Sequence, residues 1–357
     1  VSSPLKIFDI ARSEDRFVYA SAPMVRYSKL AFRQTVHEYG TDLTWTPMIL
    51  SKEFNRSAAA RDSDFTTSTR MAQPPTIVQF GASSPVEFSR AASLVMPYAN
   101  GVDLNCGCPQ TWACAASLGA ALMEKRHLVR DILVETRGMM LRDGWQRDKE
   151  SRSGRSLSVK IRIHKDLRKT VDFLNTVIGD PQAPLVDFVT IHPRSRRTPS
   201  NVPIDTEALR FLASQFGHKI PILLSGDVFT LKSVPVPTLE DRPGGQDPTP
   251  STTNITGLMS ARAILTNPAL FAGYDTCPWN AVEAFMRNAV RSPLPLRLVL
   301  HHLSEMCGPG PGENKGSLLN RRERGLLLKQ TTMLDVIDFV DQTIMAKTGQ
   351  PEGAWRT

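Results

Sequence analysis

The stretch TIVQFGASSPVEFSRAASLVMPYANGVDLN, Thr76–Asn105, decides the architecture. It opens on a short apolar, β-branched run (Thr76–Phe80) and passes into a segment with apolar residues at three- and four-residue spacing (Pro85–Tyr98). It closes on a second short run, Val102–Asn105. A helical period between two strand-like runs marks a strand–helix–strand unit, whose right-handed crossover makes the strands parallel. The alternation extends both ways. Further strand-like runs are Phe17–Ala22, Leu43–Ile49, Leu157–Ile163, Phe188–His192, Pro221–Ser225 and Ile255–Met259, and helical patterns fill Lys29–Tyr39, Arg126–Met140, Leu167–Ile178 and Thr206–Phe216. Eight units in about 270 residues match an α/β fold of the (β/α)8 TIM-barrel type. An open doubly wound sheet would alternate too, but it usually opens with a Gly-rich turn, and here that turn reads Ala22-Pro23-Met24-Val25.

Two polar stretches interrupt the pattern. Residues 142–156 are charged and Ser-rich without periodicity, and residues 232–253 hold Pro235, Pro237, Pro243, Pro248, Pro250 and a Gly244-Gly245 pair; both read as disordered surface insertions. After Tyr274 the patterns at Trp279–Val290, Leu296–Met306 and Asn320–Met345 are wholly helical, joined by a Gly/Pro-rich link at Gly308–Gly312. The expected organisation is a catalytic barrel over residues 1–275 followed by a small all-helical domain over 276–357. Five cysteines, with Cys106, Cys108 and Cys114 crowded together, do not suit a disulfide framework, so a reducing compartment is expected. No apolar run reaches the ~18–20 residues of a membrane span, and no signal-peptide pattern opens the chain. Lys and Arg outnumber Asp and Glu by 43 to 35, a formal charge of +8 that suggests a polyanionic partner. Secreted mini-proteins and membrane proteins are excluded; a basic intracellular protein, cytoplasmic or nuclear, is expected, and as a monomer.

In such barrels chemistry sits at the C-terminal ends of the strands. There the sequence offers Gln79, Asn105 running into Cys106-Gly107-Cys108-Pro109-Gln110, Lys160 and Arg162, His192, Ser225-Gly226-Asp227, and Ala261-Arg262. Each alone reads equally well as a strand cap or a solvated side chain. Together on otherwise apolar strands they need a shared polar ligand or one another. Lys160 would set a cation where a reduced flavin gathers negative charge. Gln79 and Asn105 carry the paired donor and acceptor that a pyrimidine-like edge requires. Gly226 and Arg262 lie in the loops that commonly hold phosphate. FMN fits all three. No dinucleotide fingerprint is present, so NADPH or NADH would visit as reductant.

These residues carry a resemblance. LNCGCPQ (Leu104–Gln110), with APM (Ala22–Met24), VQF (Val78–Phe80), VKIR (Val159–Arg162), TIHPR (Thr190–Arg194), SGD (Ser225–Asp227) and GLMSARAILTNPALF (Gly257–Phe271), resembles the tRNA-dihydrouridine synthases over nearly the whole chain. TPMI (Thr46–Ile49), RSAAARDSDF (Arg56–Phe65), the Ser260-Ala261-Arg262 triplet and the His301-His302 pair are most similar to the eukaryotic branch acting at D-loop positions 20a and 20b. The resemblance implies a flavoprotein oxidoreductase of tRNA, NAD(P)H-dependent, with a tRNA-binding helical tail. It implies that Pro23, Met24, Val25, Gln79, Lys160, His192, Ser225, Gly226, Asp227, Ala261 and Arg262 contact FMN, and that Cys108 donates the proton. Ser225 stands where the family usually has Asn, and Pro193 where it usually has Gly.

Reducing the C5–C6 bond of uracil needs a hydride at one carbon and a proton at the other, and an ordinary thiol, with a pKa of ~8.5, is loaded for that at neutral pH. The base would be extruded into the barrel mouth. Asn105 is a candidate for the uracil edge, Arg194, Arg196 and Arg197 for RNA phosphates, and Arg321, Arg322 and Arg324 for the tail's grip. Three other readings compete. Cys106, Cys108 and Cys114 as metal ligands lack a fourth partner, so no metal is expected. A small-molecule FMN reductase of the dihydroorotate or dihydropyrimidine type would need no basic tail. A non-catalytic tRNA-binding barrel would need none of Cys108, Lys160 and His192.

Overall fold

The computed structural model describes residues 3–68, 73–236, 248–312 and 316–349. Strands β1 (Val18–Ser21), β2 (Leu43–Trp45), β3 (Ile49–Leu50), β4 (Thr76–Gly81), β5 (Gly101–Cys106), β6 (Ser156–Arg162), β7 (Phe188–His192), β8 (Ile222–Ser225) and β9 (Gly257–Ser260) all pair in parallel. β1 joins β9 on one side and β2 on the other, and β2 also pairs β4, so the sheet closes into a barrel with eight positions. β2 and β3 are one expected run split at Thr46-Pro47-Met48, where Pro47 has no N–H for the ladder. Helices α1 (Pro4–Ser13), α2 (Leu30–Glu38), α3 (Ser51–Arg56), α4 (Ala58–Asp64), α5 (Pro85–Val95), α6 (Thr111–Ala115), α7 (Arg126–Arg142), α8 (Leu167–Ile178), α9 (Thr206–Phe216) and α10 (Pro250–Thr253) lie between or before the strands, and α11 (Arg262–Thr266) follows the last of them.

Alternation along each strand sorts the side chains. Val78, Phe80, Val102, Leu104, Val159 and Ile161 pack outward against Phe88 of α5, Ile132 of α7 and Phe173 of α8. The inward set is layered along the barrel axis. Its lower part is apolar: Val18, Ala20, Leu43, Trp45, Ile77, Phe188 and Leu223 form one buried cluster with Phe8 and Ala11 of α1. α1 plugs this end, with the Phe8 ring 5.2 Å from that of Phe188. Above this layer the interior turns polar.

Residues 142–156, expected to be a disordered insertion, are folded. Arg147 and Arg137 both pair with buried Asp187, at 2.7 and 2.5 Å, and Arg155 is 4% exposed, its Nε donating to Met96 O at 2.8 Å. Lys149 pairs with Asp9 and Lys6 with Glu150, tying this segment to α1. Of the expected insertion at 232–253, residues 237–247 lie outside the described residues; its end forms α10.

Towards the C-terminus come α12 (Trp279–Arg291), α13 (Leu296–Met306), α14 (Arg321–Leu327) and α15 (Met333–Thr348). The expected single helix over 320–345 is two, because Thr332 and Asp335 form a capping box that starts α15 afresh. α12 packs on α2, where Asn288 Nδ2 donates to Glu38 at 2.8 Å. Phe285, Leu303 and Val340 belong to the same buried cluster as Phe32 and Leu258 of the barrel.

Candidate active site

Parallel register builds the polar layer. Gln79 lies opposite Asp103 and Asp103 opposite Ser158; Asn105 lies opposite Lys160, and Arg162 opposite His192. The strands thus climb together from buried carboxylate and amides to cations at the mouth. At the mouth, Pro23, Lys160, His192, Ser225, Gly226, Asp227, Ala261 and Arg262 line one cavity of about 140 Å³, floored by Ala22 and Met259. Eight of the expected cofactor residues therefore meet there. Three do not line it. Met24 packs against an apolar cluster, Val25 is 53% exposed, and Gln79 is wholly enclosed with its amide spent inside the barrel.

Lys160 has no hydrogen-bond or ion-pair partner among the described residues, an unusual state for a lysine on the inner face of a barrel. Burial and then the neighbouring Arg162 draw its pKa down to about 8. His192 Nε2 lies 3.0 Å from Arg194 Nη1; guanidinium only donates, so Nε2 accepts and the ring proton sits on Nδ1. Burial, with Lys160 and three arginines nearby, holds His192 neutral, its pKa lowered to about 2. Gly226 is at φ +118°, and a Cβ there would come within 3.1 Å of the His192 ring and of Ile204, so the turn after β8 requires glycine.

Arg194 is a correction. Its sequence places it among the RNA-phosphate contacts, but it is 3% exposed and donates to both Asp227 oxygens at 2.6 and 2.7 Å and to Val202 O at 2.7 Å. Asp227 in turn takes bonds from Ile204 N and from Arg262, so this carboxylate organises the cavity wall. Arg196 and Arg197 are not held in this way. They line a neighbouring open groove of about 830 Å³ with Arg162, Lys165, Arg168 and Lys169. Of the tail arginines, Arg321 and Arg322 are exposed, whereas Arg324 turns in against Gly308.

The Cys108 loop follows β5 and is gripped from several directions. Asn105 Oδ1 accepts from Gly107 N at 3.0 Å and Cys108 N at 2.8 Å. Cys108 O accepts from Ala120 N at 2.9 Å, and Arg162 Nε donates to Gly107 O at 3.0 Å. Gly119 is at φ +59°, and a Cβ there would lie 2.5 Å from Cys108 O. Burial raises the Cys108 thiol pKa, and Lys160 is near enough for its charge to oppose that. Cys106 is buried in the outer core, and all five cysteines are free. Among the described residues no group of His, Cys, Asp and Glu is placed to hold a metal, and no helix is long and apolar enough to cross a membrane. Sequence reasoning missed Asp103, Ser158 and Asp227's structural role. The first two were visible only as polar residues inside apolar strands.

A model of the family described as Dihydrouridine synthase (Dus) matches residues 20–310. A Schizosaccharomyces pombe protein named tRNA-dihydrouridine(20a/20b) synthase (NAD(P)+) is 36% identical over 97% of this chain and 94% of its own length. A human protein bearing that name with the suffix "like" is 37% identical over 91% of this chain and 90% of its own. The Saccharomyces cerevisiae protein so named is 33% identical over 96% of this chain and 84% of its own. With a closed parallel barrel, the Cys108 loop and the cation-lined mouth all inside the matched span, the chain belongs to the dihydrouridine synthase family.

Proposed function

We propose that this chain reduces the C5–C6 double bond of uridine in the tRNA D-loop, at positions 20a and 20b, with FMN held in the mouth cavity and NAD(P)H as electron source. The observation that carries the reading is the unpaired Lys160 beside the Cys108 loop, in a chain whose relatives bear that reaction's name. The donor set suits a flavin: a cation lacking a partner, a neutral His192 with a proton to donate, the Ser225–Asp227 turn, and Arg262 on the side where barrels hold phosphate. Bound there, the reduced flavin supplies hydride to C6 of the uracil.

The chain's own residues do the rest. Lys160 holds positive charge against the electron-rich ring. Cys108 Sγ would give its proton to C5, and its raised pKa keeps that proton in place at neutral pH. Asn105 has one amide N–H left for the uracil edge. Extruding the base costs roughly a few kcal/mol of stacking, and phosphate contacts from Arg196 and Arg197 and from Arg321 and Arg322 of α14, in the C-terminal part expected to bind tRNA (276–357), offset it. A tRNA substrate places the enzyme inside the cell, in cytoplasm or nucleus.

The test is dihydrouridine formation on unmodified tRNA by the flavin-loaded protein with NADPH, with single D-loop uridines replaced in turn. Cys108→Ala is expected to lower product formation about a hundredfold while NADPH still bleaches the flavin. Full turnover in that variant would remove Cys108 from the proton step. Activity confined to free pyrimidines would favour the small-molecule reductase.

A further inference from the structure

A chain of hydrogen bonds runs in one line beneath the reactive thiol. Gln79 Nε2 donates to Asp103 Oδ2 at 2.7 Å, and Asn105 Nδ2 donates to Gln79 Oε1 at 2.7 Å. Gly107 and Cys108 N–H donate to Asn105 Oδ1. Ser158 Oγ donates to the other Asp103 oxygen at 2.7 Å. Gln79 and Asp103 are 0% exposed and Asn105 8%, so the bonds among Gln79, Asp103, Asn105 and Ser158 are made out of reach of water.

Burial raises the Asp103 pKa to about 6, so at pH 7 and above, with Asp103 ionised, the two ends of the line are chemically fixed. A carboxylate only accepts, and two backbone N–H groups only donate. The amides between them are reversible, because a carboxamide turned by 180° exchanges oxygen for nitrogen at nearly the same positions. Only one orientation of both amides satisfies both ends. If Gln79 turned over, its oxygen would face the Asp103 carboxylate, Asn105 would follow, and its NH2 would meet the Gly107 and Cys108 N–H groups. Each such mismatch inside a dry barrel costs a full desolvation penalty.

We infer that Asp103 is a positioning residue that sets the direction of this amide chain and thereby fixes the backbone from which Cys108 projects. The inference rests on the proton-donor reading of Cys108 for its functional meaning, but its geometry stands apart from it. Asp103 touches neither thiol nor cavity; its charge is felt by Lys160, and its hydrogen bonds act through Gln79 and Asn105.

A chain with a direction can be reversed, which supplies the test. Asn105→Asp alone leaves the Gly107 and Cys108 amides an acceptor, but its second oxygen faces Gln79 Oε1. Gln79 cannot turn over to relieve the clash while Asp103 is a carboxylate. Adding Asp103→Asn removes that bar. The new amide at position 103 then donates to Gln79 Oε1, and Gln79 Nε2 donates to the new carboxylate at position 105. All three variants are nearly isosteric, so each is expected to fold. In the flavin-loaded protein, hydrogen exchange of the peptide holding the Gly107 and Cys108 amides is read by mass spectrometry, alongside dihydrouridine formation on tRNA. Asn105→Asp should speed exchange of those amides about tenfold and slow turnover roughly ten- to a hundredfold. The double variant should recover most of the exchange protection, and Asp103→Asn alone should fall between; turnover stays low in both variants that carry Asn105→Asp, because the N–H offered to the uracil edge is gone. Losses of protection that merely add in the double variant, or exchange that stays at the wild-type rate in Asn105→Asp, would overturn the inference. Failure of the proton-donor reading is distinguishable: Cys108→Ala would then turn over normally, whatever the amides did.

Discussion

Lys160 carries its charge at a cost to the empty protein. Its pKa of about 8, against an unfolded value of 10.5, means that the unfolded chain binds the extra proton between those values. Stability of the flavin-free protein therefore rises with pH across that window, and at pH 7 the buried ammonium costs roughly 3 kcal/mol. Lys160→Met should raise the melting temperature of flavin-free protein while abolishing flavin retention, read by absorbance after gel filtration; unchanged flavin content would show that Lys160 does not hold it. The residue scale is also where sequence reading was weakest. Lys160, His192 and Cys108 were legible because ionisable groups on apolar strands demand a reason. Arg194 was not, because in sequence it resembles Arg196 and Arg197. What separates them is Asp227, thirty-three positions away, and no periodicity reports that contact.

The elements were easier to read. Every expected barrel strand formed, because β-branched runs flanked by helical periods leave few alternatives. Two things escaped. α1 is short and precedes the first strand, so no strand–helix rhythm called for it; its Ser3 cap, Pro4 at the first turn and inward Phe8 and Ala11 were the available signals. The 142–156 segment is polar by composition yet held by the Arg147 ion pair to Asp187, which lies on the far side of α8 in sequence, and by Lys149 and Glu150 to α1. The plug yields a prediction of its own. Phe8→Ala should cost about 3–5 kcal/mol in chemical denaturation, through the cavity left under Phe188, while turnover per folded molecule stays the same. A fall in turnover without loss of stability would mean that the plug communicates with the mouth.

At the scale of the molecule, barrel and C-terminal helices share one apolar body, and His302 of α13 sits in its seam. The ring is 0% exposed, lies 4.7–5.1 Å from Phe285, Phe32 and Tyr27, and neither nitrogen meets a partner at hydrogen-bond geometry among the described residues. Burial lowers its pKa to about 3. A folded pKa below the unfolded 6.5 means the unfolded chain protonates first, so stability falls as pH drops from about 6.5 towards 3, by about 1.4 kcal/mol per unit. His302→Phe should flatten that decline in denaturation measured between pH 7 and pH 4; an unchanged slope would place the acid sensitivity elsewhere, with His192 the next candidate. The α1 plug has a kinetic counterpart at this scale. Phe8 and its apolar cluster stop the far end of the barrel among the described residues, so reductant and extruded uridine are both expected to come to the cavity from the mouth and to take turns there. Initial-rate plots with NADPH and tRNA varied together should give parallel lines, the pattern of one guest leaving before the next arrives; intersecting lines would mean both are seated at once.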